Sequence, residues 1–325
     1  MPVNQLKYSL YNEDCIDGAI KHLKDDSIDL IITDPPYGIK GDKLHQHYNR
    51  EESYVLDGYI EVPIDEYPDF SLRWIEQAER VLRPGGSIYI VSGYTNLIHI
   101  LNGLKNSSLE EVNHLIWKYN FGVYTKKKYI SSHYHILYYK KPGGDRTFNQ
   151  FVRFGREDLD ESGKSKNYSD REDVWIINRE YKKGQVKNKN QLPLELLKKI
   201  ILYSTDEGDS VCDFFLGGFG TAKVALGLGR RAVGFEKSEI AFNHQIKEID
   251  NIKFGGILEN IAIPDEKSPI NSSKRWEKAE IKKLMKRFDK LAANSVLKGK
   301  AIQLLSEEFG RGRFGILNML KKNGR

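Results

Sequence analysis

The stretch Ile28-Asp29-Leu30-Ile31-Ile32-Thr33-Asp34-Pro35-Pro36-Tyr37-Gly38 decides the fold. Its first half is an apolar run of strand length, which reads as a buried strand of an α/β sheet. Its second half sets an acid, two prolines and an aromatic at the carboxyl end of that strand, the edge at which open α/β sheets keep their ligands. Each residue has a physical use there. Asp34 can accept a hydrogen bond from an exocyclic amine, Pro35 and Pro36 stiffen the turn and remove backbone donors, and Tyr37 offers a stacking face. Together they describe a clamp for a planar amine. A plain proline turn after a strand has the same outline, so a second motif has to decide.

That motif lies about 180 residues further on. Asp209-Ser210-Val211-Cys212-Asp213-Phe214-Phe215 reads as a short strand, Gly217-Gly218-Phe219-Gly220-Thr221 as a glycine-rich turn, and Ala222 to Leu228 as the start of a helix. The next strand, Arg231-Ala232-Val233-Gly234-Phe235, ends at Glu236. That acid stands about twenty residues beyond the turn, the distance at which a carboxylate reaches ribose hydroxyls in dinucleotide folds. The lysine of a phosphate-binding loop and a Gly-x-Gly-x-x-Gly are both missing, which weakens a phosphate-binding reading. A glycine turn without a ligand is the alternative.

Asp34-Pro35-Pro36-Tyr37 after a hydrophobic strand resembles the catalytic motif of amino-methylating DNA methyltransferases, which move a methyl group from S-adenosylmethionine to adenine N6 or cytosine N4. The resemblance spans about residues 5 to 250. It implies an α/β, Rossmann-like, mostly parallel sheet of the S-adenosylmethionine-dependent type, with Asp34, Pro35, Pro36 and Tyr37 as the catalytic residues. It implies cofactor contacts from Asp14, Asp213, Phe215, Gly217, Gly218, Thr221 and Glu236. The catalytic motif precedes the cofactor motif, the order of the permuted beta group. The glycine loop departs from the family's Phe-x-Gly-Ser-Gly-Thr-Thr: without a gap, Phe219 stands where the second glycine is expected.

Other segments fill the outline. Val81-Leu82-Arg83-Pro84-Gly85-Gly86 reads as a turn before a strand. Leu115 to Asn120 and Ser132 to Lys140 resemble the family's paired strands, with Tyr134 where an acid is usual, and Asp173-Val174-Trp175 and Gln191 to Leu197 lead into the cofactor half. No role is carried over for Leu192, which stands where a lysine is usual. The expected organisation is a catalytic domain over 1–264, a target-recognition insertion over about 141–190, and a basic helical module over 265–325. In that module Ile281, Leu284, Met285, Phe288 and Leu291 recur at helical spacing opposite a lysine-rich face. Ala301 to Phe309 and Phe314 to Lys322 follow as two short helices joined by Gly310-Arg311-Gly312-Arg313. A helix-turn-helix and a helical cover for the sheet or a dimer surface both fit.

Charge is uneven along the chain. The 325 residues carry 51 Lys and Arg against 45 Asp and Glu, a formal +6. Residues 261–325 hold sixteen of the basic and seven of the acidic groups, so the module is +9 and the rest −3. Candidate contacts to the DNA backbone are His45 and Arg50 in the long polar stretch after Gly38, Lys182, Lys183, Lys187 and Lys189 in a basic loop, and Arg311 and Arg313. The polar stretch is expected to act as a lid over the substrate.

Cys15 and Cys212 are too few for a disulfide framework or a cysteine zinc site, and neither follows proline as the nucleophile of C5-cytosine methylation does. His45 with His47 and His133 with His135 lack a third ligand cluster, so no metal is expected. The first thirty residues hold no apolar run of signal or membrane length, which points to the cytoplasm. The expected activity is methylation of the N6 amine of a flipped-out adenine in double-stranded DNA. N4-cytosine methylation, or a catalytically silent, sequence-specific DNA-binding protein on the same scaffold, are the alternatives. A homodimer and a cognate restriction endonuclease are the protein partners under consideration; a membrane is not.

Overall fold

The computed structural model describes residues 7–38, 62–120, 122, 124, 126–179, 191–260, 271, 276–296 and 298–325. His45, Arg50, Lys182, Lys183, Lys187 and Lys189 lie outside them, as does most of the expected lid. The chain divides into two compact units, Met1–Gln150 with Glu172–Ile261, and Phe151–Arg171 with Ala262–Arg325.

The first unit is an eight-stranded sheet in the order β1-β8-β7-β2-β3-β5-β4-β6. Its strands are β1 (Tyr8–Tyr11), β2 (Ile28–Thr33), β3 (Leu82–Ser92), β4 (Glu110–Lys118), β5 (His133–Lys140), β6 (Val174–Ile176), β7 (Ser210–Asp213) and β8 (Arg231–Phe235). All pairings are parallel except those of β5, which runs antiparallel to both β3 and β4. This is the mostly parallel α/β, Rossmann-like sheet that the sequence predicts.

Parallel strands need crossovers, and the crossovers cover both faces with helices. β2 is accordingly buried along almost its whole length. The helices are α1 (Cys15–His22), α2 (Tyr67–Val81), α3 (Leu97–Lys105), α4 (Lys166–Asp170, in the second unit), α5 (Leu194–Ser204), α6 (Gly220–Gly227) and α7 (Glu239–Ile249). α2 shows why such a segment is helical: Tyr67, Ser71, Trp74, Ile75, Ala78 and Val81 fall on one face, which is buried, and Pro68 sits in the first turn, where its missing donor costs nothing.

Val81 to Gly86, expected as a turn, is the end of α2 and the beginning of β3. The register passes from Ile28↔Leu82 to Leu30↔Ser87, so the extra residues form a wide irregularity inside the strand. Gly85 makes this possible at φ +77°, in the region that favours glycine, and its N–H donates to the Lys141 carbonyl.

The second unit contains α8 (Lys278–Ala293), α9 (Lys298–Phe309) and α10 (Arg313–Lys322), packed around Leu284, Phe288, Leu305, Phe309, Ile316 and Leu320. Phe151–Arg171, expected within the recognition insertion, groups with these helices, and Arg313 Nε lies 2.8 Å from Glu157 Oε2. Arg311 does not fit its expected role at DNA phosphates. It is 4% exposed, its guanidinium donates to both Glu280 oxygens at 2.8 Å and to the Asn271 carbonyl, and it lies 4.2 Å from the centre of the Trp276 ring. A charge buried this deeply has to be paired, so the turn between α9 and α10 folds around it. Lys282, Lys286 and Lys290 form the exposed basic face instead.

Candidate active site

All the elements of the site end at one edge of the sheet. β2 and β7 pair as Leu30↔Val211 and Ile31↔Cys212, which brings the residues after two strands far apart in sequence to adjacent positions. The chain leaves this pair in opposite directions, β2 towards β3 and β7 towards β8, so the pair is a topological switch point. Asp34 follows β2, Asp213 closes β7, Glu236 follows β8, and Asn12 and Asp14 follow β1.

The turn from Asp34 to Gly38 is held from several sides. Tyr37 Oη donates to Asp34 Oδ1 at 2.7 Å. The carbonyls of the turn are anchored by two residues that sequence reasoning misses: Tyr67 Oη donates to the Pro36 carbonyl at 2.6 Å, and Asn96 Nδ2 donates to that of Tyr37. Among the described residues no donor reaches the Pro35 carbonyl. Gly38 closes the turn at φ +62°, where a Cβ would lie 2.7 Å from both Asn96 Nδ2 and Tyr67 Cδ2. The Tyr37 ring stacks on Tyr134 at 5.9 Å and 20°. Tyr134 in turn contacts Trp117 and Tyr119, an aromatic layer that the sequence announces only as paired strands.

Asp213 ties the two motifs together. Its Oδ1 accepts from Thr33 Oγ1 at 3.1 Å and from the Phe215 N–H at 3.0 Å, and its Oδ2 accepts from Thr221 Oγ1 at 2.7 Å. Burial nevertheless raises its carboxyl to about 6, against the opposing pull of the Thr221, Phe215 and Thr33 hydrogen bonds. Burial likewise raises Asp34 to about 7, helped by the charge of Asp213 and resisted by the Tyr37 hydrogen bond and the charge of Arg179.

Glu236 accepts from the Gly217 and Ser238 N–H groups, both at 2.8 Å, one on each oxygen. Each oxygen keeps a further lone pair, so the carboxylate can still receive a pair of vicinal hydroxyls. Asp14 caps α1 through the Ile16 N–H at 2.9 Å and meets Lys237 Nζ at 3.1 Å. The Phe215 ring packs against Phe70 and Trp74, and Gly217 turns at φ +49°. Phe219 occupies the left-handed region at φ +58°, yet its ring is fully buried and packs edge-on against Phe242. The departure from the glycine pattern thus places a side chain in the core. It leaves the loop backbone to turn as glycine would.

His135 Nδ1 lies 2.8 Å from His114 Nε2, with His133 beside it. Among the described residues no group of three or more His, Cys, Asp or Glu is disposed to hold a metal ion. No described helix is long and apolar enough to cross a membrane.

The sequence profile described as DNA methylase, of the N6/N4 methyltransferase type, matches residues 28–248. The chain belongs to the DNA methylase family. The chain is 31% identical over 240 residues to the type II methyltransferase M.BamHI of Bacillus amyloliquefaciens, covering 70% of this chain and 54% of that one. It is 30% identical over 221 residues to the type II methyltransferase M.HpaI of Haemophilus parainfluenzae, covering 67% of each. The chain thus spans about half the length of M.BamHI and two thirds of M.HpaI. Its fold matches that of M1.HpyAVI in a complex with S-adenosylmethionine at a TM-score of 0.52 and 20% identity, over 75% of this chain and 99% of that one. It matches the cytosine-N4-specific PvuII DNA methyltransferase at 0.53 and 17%, over 75% and 90%.

Proposed function

We propose that this DNA methylase transfers a methyl group from S-adenosylmethionine to the N6 amine of a flipped-out adenine in double-stranded DNA. The observation that carries the reading is the pairing of β2 with β7. It sets the amine clamp at Asp34 beside the cofactor loop that begins at Asp213.

The residues at that loop fit S-adenosylmethionine. Glu236 has the spare acceptor capacity that ribose hydroxyls require, the turn at Gly217 brings backbone close, and the turn from Phe214 to Phe219 carries no cationic side chain that would oppose a sulfonium. When bound, the cofactor supplies an electrophilic methyl group on a good leaving group. Everything else falls to the chain. An exocyclic amine is a poor nucleophile because its lone pair is delocalised into the ring. Accepting its two protons at Asp34 and at the Pro35 carbonyl favours a pyramidal nitrogen with its lone pair aimed at the methyl carbon, a gain in orientation and electrostatics. The nitrogen gains positive charge as the bond forms, and an ionised Asp34 stabilises that charge and can take the departing proton. Stacking on Tyr37 offsets part of the few kcal/mol that unpairing the base costs.

A cognate restriction endonuclease in the same cell is the partner this reading proposes. The test of the reaction is transfer of labelled methyl to mixed-sequence duplex DNA, followed by nucleoside digestion and mass spectrometry, with Asp34→Ala alongside. N6-methyladenine that disappears in the variant supports the reading. N4-methylcytosine would move it to the other amine, and cofactor binding without any methylated nucleoside would favour a binding-only protein.

A further inference from the structure

Arg179 has no part in the sequence motifs, yet the fold delivers it to the catalytic edge. β6 pairs parallel with β4 through Trp117↔Trp175 and Lys118↔Ile176, the Ile177 N–H donates to the Lys118 carbonyl at 3.0 Å, and Trp117 Nε1 donates to the Ile177 carbonyl at 2.8 Å. The segment leading to Arg179 is thereby fixed on both backbone and side chain. The guanidinium carbon then lies 4.9 Å from the ring centre of Tyr119, 5.2 Å from Tyr134 and 5.6 Å from Trp117.

Tyr134 is the link to the clamp. Its ring is stacked with Trp117 at 5.4 Å and with Tyr37 at 5.9 Å, and Tyr37 donates to Asp34. Asp34, Tyr37, Tyr134 and Arg179 form one contiguous series of contacts. Arg179 Nε is buried with no hydrogen-bond partner among the described residues, so the side chain is held in good part by aromatic faces. A guanidinium suits such a seat because it is more weakly hydrated than an ammonium and stacks as a plane.

We propose that Arg179 is a positioning residue of the methyl-transfer site: it seats Tyr134 against Tyr37 and supplies the positive charge that faces Asp34. This rests on the reading of Asp34 as the amine acceptor. The groups facing Asp34 are Tyr37 from its own turn, Asp213 from β7, Tyr134 from β5 and Arg179 from the segment after β6. Burial and Asp213 both favour the neutral acid, and Arg179 is the cation among these groups that opposes them. The carboxylate is the better acceptor for an amine that becomes cationic, so the contribution of Arg179 is felt at Asp34 and only through it at the substrate.

Two substitutions separate positioning from simple packing. In Arg179→Gln the charge is lost, and in Arg179→Lys it is kept while the stacking plane is lost. The first readout is the Asp34 carboxyl titration by carbon-13 NMR in the full-length chain, with Asp34→Asn to assign the signal. Removing a facing positive charge moves a carboxyl midpoint upward. The midpoint is therefore expected to rise in Arg179→Gln and by less in Arg179→Lys. The second readout is kcat for methyl transfer against pH. Arg179→Gln is expected to lose more at pH 6 than at pH 9, because on the acidic side a higher midpoint leaves less carboxylate, whereas at pH 9 Asp34 is ionised in both chains. An Asp34 midpoint unchanged in both folded variants, or a kcat lowered equally at every pH, would overturn the proposal. The titration needs no DNA: a wild-type chain that methylates no duplex defeats the functional reading, while the Arg179 effect on Asp34 still stands or falls by itself.

Discussion

Asp34 and Asp213 are carboxyls that burial holds at about 7 and about 6, and their elevation has a consequence for folding. Both are raised in the folded chain and near the ordinary value of about 4 when unfolded. The folded form therefore binds the extra protons, and the stability they confer is complete below about pH 4 and lost as pH rises through 6 and 7. Asp34→Asn carries no such penalty. Its thermal midpoint, compared with wild type, should gain between about pH 4 and pH 7 and level off above; a difference independent of pH would contradict the buried state of Asp34. The same substitution removes the acceptor charge, while Asp34→Ala removes the acceptor altogether. The latter should lower kcat by about 10²–10³, the loss typical of one preorganised contact, with calorimetric binding of S-adenosylmethionine retained. Phe219 poses a contest of magnitudes. Glycine would relieve a left-handed backbone worth about 1–2 kcal/mol, but it would remove a fully buried aromatic worth about 3–5 kcal/mol. Packing wins, so Phe219→Gly should destabilise the chain by about 2 kcal/mol or more in urea unfolding.

At the scale of the element, the turn from Asp34 to Gly38 is set by what surrounds it. Tyr67 opens α2 and Asn96 precedes α3, and each directs a polar side chain at a carbonyl of the turn. Gly38 permits their approach. Gly38→Ala would place a Cβ against both side chains and strain a positive φ. Catalytic geometry tolerates shifts of less than an ångström, so kcat should fall by about a hundredfold with cofactor affinity little changed. A normal kcat in steady-state assays would show that the turn does not set the nucleophile. The turn's composition was legible in the sequence, because proline and glycine act locally. Its anchors were not, since Tyr67 and Asn96 belong to segments whose own patterns announce only helices.

At the scale of the whole molecule, the basic charge gathers in the second unit. Arg311 and Arg313 are engaged by Glu280 and Glu157, while Lys282, Lys286 and Lys290 recur one turn apart on the exposed side of α8. If that face meets phosphates, changing the three lysines to glutamine in the full chain should reduce the slope of log affinity against log salt by about 3, near one per phosphate neutralised. An unchanged slope would leave this unit with a structural role. The helices themselves were readable, since a 3.6-residue apolar period is a local signal. The burial of Arg311 was not, because the turn that carries it looks the same whether its charge faces water or Glu280.

The sequence by itself determined the elements: a buried strand ending in Asp34-Pro35-Pro36-Tyr37, a glycine turn leading to Glu236, and an amphipathic helical unit at the carboxyl end. These follow from periodicity and from residues such as proline and glycine that act on their own backbone. The tertiary structure decided which of them meet. Strand order put Asp34 beside Asp213, pairing of β6 with β4 brought Arg179 to the aromatic layer, and core packing turned Phe219 inward. Each depends on contacts between residues far apart in the chain, and the protonation of a carboxyl depends on how much water those contacts leave around it.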